Sequence, residues 1–502
     1  MRKKRLAKNT VSSLVYQMMT IICGFILPRY MLSYYGSEVN GLVNSITQFL
    51  QIIAFLDLGV GAVVQSSLYK PLADGDNNQI SCVLKSASRF FQRLAQILLV
   101  YVVILIGIYP YIANQNFGFM YTATLIVAMS ISSFAQYYFG VVNRLLLLAD
   151  QRGYVQYNIQ TVTLILNTIA CTVLITCGAS IQFVKLTTSL IYLLRPFGFK
   201  LYVDRHYNID RKISYSGEPI KQKWNGVAQH VAAVVLDGTD SIVLTVFATL
   251  SDVSIYSVYH MVVYGVKQLF VSMTNGIQSL IGELWAKQET EELHDFFGWV
   301  EWAIHTGVVF IFGCTVALIL PFVSVYTKGI TDTNYMQPMF AILIVAANAC
   351  HCLRVPYNLM ILAGGHYKQT QSNYIVAAVL NFGLSVIFVK YAGLIGVAIG
   401  TLVAMLYQTV WMAYYDSRNL IRWPFKNFIK QCFIDVLSLG FILFGSNLMK
   451  ITANNYFEWV VCAVEVALFV AVVVVVINEI FYRDKIDHLI KKILKMVKLN
   501  AK

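Results

Sequence analysis

Polar side chains follow helical spacing inside two stretches near the start of the chain that are otherwise apolar. In the first stretch Ser13, Gln17 and Thr20 share one face of a helix. The second stretch repeats the pattern with Asn40, Asn44, Gln48 and Gln51. Hydroxyl and amide groups hydrogen-bond polar solutes, so both faces are candidates for lining a wet cavity. The alternative is that they only hold neighbouring helices together by hydrogen bonds.

Two later stretches carry the same kind of face with ionisable groups added. Their polar residues are His230, Asp237, Asp240 and Ser241 in one stretch, then Tyr256, His260, Tyr264 and Lys267 in the next. Counted from a turn near Ser251, Asp237 and Lys267 lie at similar distances along their helices, so we expect them at similar depth. They would then pair or share a cavity. A buried pair of this kind can also be purely structural.

These charged residues have distinct expected roles. Lys267 would attract an anionic head group, while Asp237 or Asp240 would take up a proton or a sodium ion. Arg29 is a second anion-binding candidate, with a snorkelling anchor at the membrane interface as its alternative role. The predicted substrate-binding residues are Arg29, Lys267, Gln17, Asn44, Gln48, His260, Tyr256 and Tyr264. The predicted coupling-ion residues are Asp237 and Asp240.

Motifs for other chemistry are absent from the sequence. There is no Gly-rich Walker pattern and no His-Glu-x-x-His, which argues against ATP hydrolysis by a P-loop and against metalloprotease activity. Cys350, His351 and Cys352 resemble metal ligands. Residues two apart on a helix point about 200° apart, however, so one metal ion cannot easily take both thiols. We therefore predict no catalytic residue, no metal site and no cofactor, apart from a coupling H+ or Na+.

The elements that carry these residues are predicted to cross a membrane. Of the 502 residues, 58% are hydrophobic and 13% are charged, and the mean hydropathy is +0.63. A water-soluble fold cannot hide this much apolar surface. Stretches of about 20 apolar residues predict spans at 11–33, 41–65, 91–112, 120–143, 158–178, 183–203, 227–250, 254–281, 299–326, 338–362, 373–390, 394–414, 431–449 and 457–481. The expected fold class is an all-α membrane protein with about 14 transmembrane helices.

Charge predicts how the spans are oriented. Lysine and arginine are concentrated in alternate breaks between spans, for example at Lys85, Arg152 and Arg211, and the positive-inside rule assigns these breaks to the cytoplasm. An even number of spans then leaves both termini cytoplasmic, in a multi-pass protein of the cytoplasmic membrane. The formal net charge of +13 is spread over short breaks rather than gathered on a soluble face, so nucleic acid is not an expected partner.

A weak internal repeat predicts two lobes. Glu38-Val39 resembles Asp252-Val253, and Leu148-Ala149 resembles Leu362-Ala363, both 214 positions apart. Six spans per repeat give lobes of the same orientation, a parallel pseudo-repeat as in two-lobed transporters. The expected parts are an N-terminal six-helix lobe (1–203), a cytoplasmic linker (204–226), a C-terminal six-helix lobe (227–414), two additional transmembrane helices (415–482) and a basic amphipathic cytoplasmic tail (483–502). A frayed basic tail is the alternative for the last part.

Two sets of short motifs stand out in the chain. The first set is Leu27-Pro28-Arg29-Tyr30, Tyr35-Gly36, Asp57-Leu58-Gly59-Val60-Gly61 and Leu72-Ala73-Asp74. The second set is Thr239-Asp240-Ser241, Ile255-Tyr256-Ser257 and Leu280-Ile281-Gly282-Glu283. These sets resemble the opening and the segment across helices seven and eight of the Wzx-like polysaccharide (lipid-linked oligosaccharide) flippases of the multidrug/oligosaccharidyl-lipid/polysaccharide exporter superfamily. The resemblance implies two six-helix lobes around a central cavity, lined mainly by helices one, two, seven and eight.

The same resemblance implies an activity and partners. The activity is alternating access that moves a polyprenyl-diphosphate-linked oligosaccharide, of the undecaprenyl type, from the inner to the outer leaflet. The product would serve capsule, exopolysaccharide or O-antigen assembly. The implied partners are this lipid, the surrounding membrane lipids, and the polysaccharide polymerase and glycosyltransferases of the same pathway. The chain would then be a transporter and not an enzyme.

Three other functions stay open at this point. Lipid II flippases are related, but they carry several cavity arginines on their first helices, where this chain has only Arg29. A cation-coupled drug antiporter of the same superfamily would bind its cation at an acid such as Asp237, but twelve spans would be expected. A membrane polysaccharide polymerase would need a large outward loop, which the short breaks on that side do not provide.

Overall fold

The computed structural model describes residues 2–52, 58–113, 117–211, 213, 238–274, 277–449 and 451–487. Within these ranges the chain is almost entirely α-helical, with one π-helical segment and no β-strand. Nine helical stretches of this part are long and apolar enough to cross a membrane. The predicted fold class, an all-α multi-pass membrane protein, is therefore confirmed. The count of 14 spans stays a prediction.

Most consecutive helices of the described ranges are joined by short connections, whereas the connection 207–237 lies largely outside those ranges. In chain order the helices are α1 (Arg2–Gln51), α2 (Leu58–Asp74), α3 (Asn77–Ile112), α4 (Phe119–Ala135), α5 (Val141–Ala149), α6 (Gly153–Thr176), α7 (Ile181–His206), α8 (Gly238–Phe247), α9 (Leu250–Met273), α10 (Ile277–Lys287), α11 (Thr290–Tyr326), α12 (Pro338–Leu353), α13 (Val355–Ala363), α14 (Tyr367–Asn419), α15 (Phe425–Leu448) and α16 (Tyr456–Phe481). The π-helical segment Gln136–Gly140 joins α4 to α5 without a turn, so the three form one continuous stretch.

Two of the helices contain a break at a glycine. Gly36 in α1 has φ 81° and Gly393 in α14 has φ 52°, in the left-handed region that glycine adopts without a steric penalty. Each break falls between two predicted spans, so the apolar pattern located both turns although each helix continues on the far side.

The helical segment that follows Gly36 begins at a cap supplied by a distant residue. The carboxylate of Asp332 accepts hydrogen bonds from the backbone N–H of Ser37 (2.6 Å) and from its hydroxyl (2.7 Å). The first N–H groups of a helix have no acceptor within the helix, and a carboxylate at this end also interacts favourably with the helix dipole. Asp332 therefore fixes the point at which the second segment of α1 starts.

Packing divides the chain into two compact units. The first unit comprises residues 1–257 and 329–333, and the second comprises 258–328 and 334–502. In the first unit α1 packs on α6 and α4 on α7, while in the second α12 packs on α14 and α11 on both α15 and α16. The division falls within α9, whereas the sequence pattern places the border of the lobes at 204–226. The predicted lobe boundaries stay a prediction.

Several predicted features lie outside the described residues, wholly or in large part. They are Asp57, the linker from 214 onwards, the polar residues His230 and Asp237, and the basic tail beyond 487. Their predicted roles are therefore not tested by the structure.

Large apolar side chains point outward along the helices of each unit. On α16 the exposed residues are Val460, Val461, Val464, Leu468, Val472, Val475 and Val476, and on α3 they are Ile97, Leu99, Val100, Val103, Ile104 and Ile108. Such long apolar faces are costly in water and are typical of surfaces in contact with lipid tails. The helices satisfy their own backbone hydrogen bonds, as a hydrocarbon environment requires.

Within the first unit, α1 and α9 approach each other closely at Gly41. A Cβ atom at this position would overlap the carbonyl oxygen of Leu250, so only glycine fits. Next to it, Asn40 Nδ2 donates to Ser254 Oγ at 2.8 Å. The two residues of this bond are 214 positions apart, which is the spacing of the sequence repeat.

We expect Gly41→Ala to lower the thermal unfolding temperature of the purified protein in detergent. Its methyl group must push the start of α9 away, and overpacking of this kind costs about 1–3 kcal/mol. The matched control is Gly24→Ala in the same helix, where a Cβ meets no atom within 4 Å. A thiol-reactive dye can report the transition because Cys171 and Cys352 are buried. Equal unfolding temperatures for the two variants would contradict the close contact at Gly41.

Candidate functional site

A polar cavity of about 330 Å³ lies inside the first unit. Its polar lining residues are Thr47, Gln51, Ser132, Ser133, Gln136, Tyr137, Lys185, Thr188, Ser189, Tyr192 and Arg195. They come from the second segment of α1, from α4 with its π-helical extension, and from α7. Hydroxyls, amides, phenols and two cations in one cavity can bind a solute that has many hydroxyl groups and negative charge.

Both cations of this cavity are on α7. Arg195 Nε donates to Thr163 Oγ1 at 2.8 Å, and its guanidinium carbon lies 3.7 Å from the centre of the Tyr192 ring. Lys185 Nζ lies 3.6 Å from the sulfur of Met31. All of these partners are neutral groups. They hold the two side chains in place without cancelling the positive charge of Lys185 and Arg195.

Part of the predicted polar face of α1 reaches this cavity. Gln51, which belongs to that face, is in the lining together with Thr47. Asn44 Nδ2 donates to the backbone oxygen of Asn40 (2.8 Å), and the Gln48 amide oxygen lies beside the backbone of Gly238. Asn44 and Gln48 thus contact protein groups and are not among the lining residues of the cavity.

Two other predicted residues of α1 lie apart from the cavity. Gln17 is half-buried on the first segment, and Arg29 is half-buried one residue after Pro28. Neither is among the lining residues. Their predicted substrate contacts stay a prediction.

A chain of hydroxyl groups joins three helices of the first unit next to the predicted face. Ser45 Oγ on α1 receives hydrogen bonds from the Tyr109 hydroxyl (2.7 Å) on α3 and from Thr245 Oγ1 (2.8 Å) on α8. Asn40 also donates to Ser257 at 3.3 Å. Several polar residues of this region therefore act as hydrogen-bonding links between helices, the alternative considered for them from the sequence.

Of the two predicted coupling acids, the structure describes Asp240 but not Asp237. Asp240 on α8 is buried and accepts a hydrogen bond from the hydroxyl of Tyr256 on α9 at 3.1 Å. Asp237 lies outside the described residues, so its predicted pairing with Lys267 is not tested. Tyr256, a predicted substrate contact, is thus hydrogen-bonded to an acid, and its contact with a substrate stays a prediction.

In the second unit the predicted residues of α9 form one face. The His260 and Tyr264 rings stack with centroids 5.4 Å apart, and Lys267 Nζ lies 5.2 Å from the centre of the Tyr264 ring. Tyr264 is 42% exposed, whereas Lys267 is 4% exposed. This face can present an aromatic surface to a sugar ring beside a buried positive charge.

A second cation stands near this face. Lys267 is within electrostatic range of His351 and Cys352 on α12. Arg354 Nη2 lies 3.0 Å from His351 Nδ1, and its buried Nη1 has no hydrogen-bond partner in the part of the chain that the structure describes. A buried guanidinium nitrogen without an acceptor is a candidate contact for an anionic group. The proximity of Arg354 to the predicted face could not be read from the sequence.

A charged cluster closes one end of the first unit, beyond the apolar spans. Asp150 accepts hydrogen bonds from Arg5 (3.2 Å) and from the hydroxyl of Tyr207 (2.6 Å), and it pairs with Arg152 (2.8 Å). Burial raises the pKa of Tyr207, and the hydrogen bond to Asp150 acts in the same direction. The carboxylate of Asp150 therefore links the segments that contain Arg5, Arg152 and Tyr207.

No protein-family model and no curated protein matches the chain. Solved structures do match it. A structure described as lipid II flippase MurJ in an inward closed conformation aligns with 95% of this chain and 99% of its own, with a TM-score of 0.71 and 14% identity. A multidrug resistance MATE family transporter of the MOP superfamily in an inward-facing conformation aligns with 82% of this chain and 98% of its own (TM-score 0.56, 16% identity).

An outward-facing MATE transporter structure matches to the same degree. It aligns with 83% of this chain and 96% of its own, with a TM-score of 0.55 and 15% identity. The identities are low, so these likenesses concern the fold and do not by themselves assign a substrate. The chain shares its fold with these three transporter structures.

Proposed function

We propose that the protein is a flippase that moves a polyprenyl-diphosphate-linked oligosaccharide across the cytoplasmic membrane, from the inner to the outer leaflet, for surface polysaccharide assembly. The observation that carries this proposal is the cavity of the first unit. It combines hydroxyl and amide groups with the unneutralised cations Lys185 and Arg195, inside a fold whose outer surface is apolar. The transporter fold of the matching structures supports the same conclusion.

The chemistry of such a lipid explains what the cavity has to supply. Each sugar hydroxyl costs a few kcal/mol in hydrocarbon without a partner, and the diphosphate costs far more. Serine, threonine and glutamine side chains replace water around the sugars. Lysine and arginine bind the phosphate oxygens, the bidentate geometry of arginine being especially suitable. The polyprenyl tail stays in the bilayer, where the exposed apolar faces meet it.

The second unit offers a matching set of groups on α9 and α12. His260 and Tyr264 present stacked rings, and Lys267 and Arg354 add two positive charges. An alternating-access cycle exposes polar groups to one side of the membrane at a time, and sites in both units would contribute to it. The cytoplasmic position of both termini, inferred from the lysine and arginine distribution, belongs to the same proposal.

Lipid II transport is the second candidate. It is favoured by the match to the MurJ structure, which aligns with 95% of this chain, whereas the inward-facing MATE structure aligns with 82%. Lipid II is itself a polyprenyl-diphosphate-linked sugar, so the two candidates need the same cations and hydrogen-bonding groups. They differ in the glycan, which chemical analysis of the accumulated lipid can identify.

Cells that lack this chain are expected to accumulate lipid-linked repeat units, and Lys267→Ala is expected to reproduce the accumulation because the buried ammonium group is lost. Mass spectrometry of extracted lipid-linked glycans measures the effect. The matched control is Lys287→Ala, which removes an exposed lysine at the end of α10. Normal surface polysaccharide and no accumulated lipid in the deletion strain, with no redundant transporter present, would refute the flippase.

Arg195→Gln is expected to weaken binding of undecaprenyl diphosphate to the purified protein by about 10- to 100-fold. A hydrogen bond to a charged group contributes about 1.5–3 kcal/mol, which corresponds to that range. Ligand-induced thermal stabilisation in detergent gives the affinity. Lys200→Ala, an exposed cation on the same helix, is the control and should bind normally. Equal affinities for the two variants would remove the first-unit cavity from the proposal.

A further inference from the structure

A second group of buried polar residues lies in the second unit. Its members are Glu301 and His305 on α11, Tyr357 on α13 and Asp435 on α15. Their exposed fractions are 4%, 0%, 1% and 5%. Histidine and two carboxylates are rarely buried this completely among apolar helices unless they pair with one another.

The two carboxyl groups are surrounded by hydrogen-bond donors. The Glu301 oxygens accept from the Tyr357 hydroxyl (2.7 Å) and from Trp423 Nε1 (2.9 Å). The Asp435 oxygens face His305 Nδ1 (2.5 Å) and Gln431 Nε2 (3.4 Å). All four oxygens therefore face groups that can donate, which matches the capacity of a carboxylate to accept hydrogen bonds at both of its oxygens.

The neighbouring groups indicate which ring nitrogens of His305 carry a proton. The Tyr357 hydroxyl points its hydrogen at Glu301, and its oxygen lies 3.4 Å from His305 Nε2. Nε2 then meets an oxygen lone pair and is best placed when it carries a proton. Nδ1, at 2.5 Å from Asp435, also needs a proton between the two atoms. The geometry is complete when the imidazole carries both protons.

Charge balance leads to the same state. Two carboxylates and a neutral imidazole place two negative charges in the interior. Lys485, which donates to the Gly298 carbonyl oxygen (2.6 Å), is within electrostatic range of Glu301 and offsets one of them. Burial lowers the pKa of Lys485 to about 8, so its ammonium form still dominates at neutral pH. A proton on His305 offsets the second charge and makes the group neutral.

Thiols and phenols of the described residues are the next titratable groups around Asp435. Cys350 on α12 and Cys432 on α15 are within electrostatic range of Asp435, and Tyr482, after α16, is within range of both acids. Lys430 lies over the Tyr482 ring at 4.6 Å. Thiols and phenols are neutral in their ordinary forms, so the net charge changes through His305 and, near pH 8, through Lys485 at the edge of the group.

We propose that His305, Asp435, Tyr357 and Glu301 form an internal proton-binding site in which the proton-loaded state has both imidazole nitrogens protonated. When the site unloads, Nε2 gives up its proton to water, and the Tyr357 hydroxyl rotates its hydrogen from Glu301 to the vacated nitrogen. One proton leaves, and the net charge of the group falls by one. Asp435 is on α15, so the two additional C-terminal helices supply the acid that holds the proton.

Use of this proton to drive the transport cycle rests on the proposed flippase function. Loading neutralises the interior of the second unit, and unloading leaves an uncompensated buried charge. Such a state is strongly disfavoured unless the helices move or admit water. A site with two charge states of different packing can therefore bias a conformational equilibrium.

The proton site itself can be tested without any substrate. Full-length protein with 15N-labelled histidine, reconstituted in nanodiscs, is followed by NMR between about pH 6 and pH 9, with His305 assigned by the signal missing in His305→Gln. We expect two ring N–H groups on His305 in the acid range and release of one on raising the pH. We expect a single ring N–H throughout for Asp435→Asn, which lacks the counter-charge.

The control for this experiment is Ser438→Ala, one turn along α15, which removes only a local hydrogen bond to Ile434 and should behave as the wild type. A wild-type His305 that has one ring proton over the whole range would overturn the site. So would an Asp435→Asn variant that keeps both, because the acid would then be a purely structural partner.

Coupling is tested in proteoliposomes with an undecaprenyl-diphosphate oligosaccharide as the probe. An imposed pH gradient should accelerate translocation by the wild type and by Ser438→Ala, and this acceleration should be lost in His305→Gln. Translocation that is insensitive to the gradient in every variant would refute coupling and leave the flippase intact. Absence of translocation in every variant would refute the flippase, while the NMR result still decides the proton site.

Discussion

Hydrocarbon offers no hydrogen-bond partner, and this constraint governs where every polar group of the chain is placed. The backbone meets it by forming helices, whose apolar faces are then left for the lipid. Polar side chains meet it in two ways. Ser45, Tyr109 and Thr245 bond to one another between helices, whereas Lys185 and Arg195 face a cavity that water or a solute can fill. The first kind holds the fold together, and the second kind is available for function.

The two units handle buried charge differently. In the first unit the cavity cations rest on an aromatic ring, a hydroxyl and a thioether, so their positive charge remains available to an anion. In the second unit the carboxylates of Glu301 and Asp435 face donors at all four oxygens, and in the proposed proton-loaded state His305 and Lys485 balance their charge. An open cationic site suits a ligand that enters and leaves, while a closed, balanced group suits a particle as small as a proton.

Much of the fold could be predicted from the sequence because it depends on local patterns. Apolar length located the helices, and the turns at Gly36 and Gly393 fall between predicted spans. The helical spacing of polar residues predicts the face that contains Gln51, and the position of Lys267 along its helix predicts that it lies deep in the membrane. The partners Arg195 and Thr163, or His305 and Asp435, are far apart in the chain, at 32 and 130 positions, and no helical periodicity connects them. Their meeting is decided by how helices pack, which one sequence does not reveal.

The π-helical segment between α4 and α5 has a geometric consequence for the surfaces on either side of it. A π-helical turn holds one residue more than an α-helical turn, so it rotates everything that follows by roughly 100° about the axis. Before the segment, Ser132 and Ser133 face the cavity with Lys185 and Arg195; after it, Asn143 faces a separate pocket with Lys85, Arg89 and Arg211. One continuous helical stretch thereby lines two separate pockets, and the extra residue of the π-helical turn sets the angle between its two lining faces.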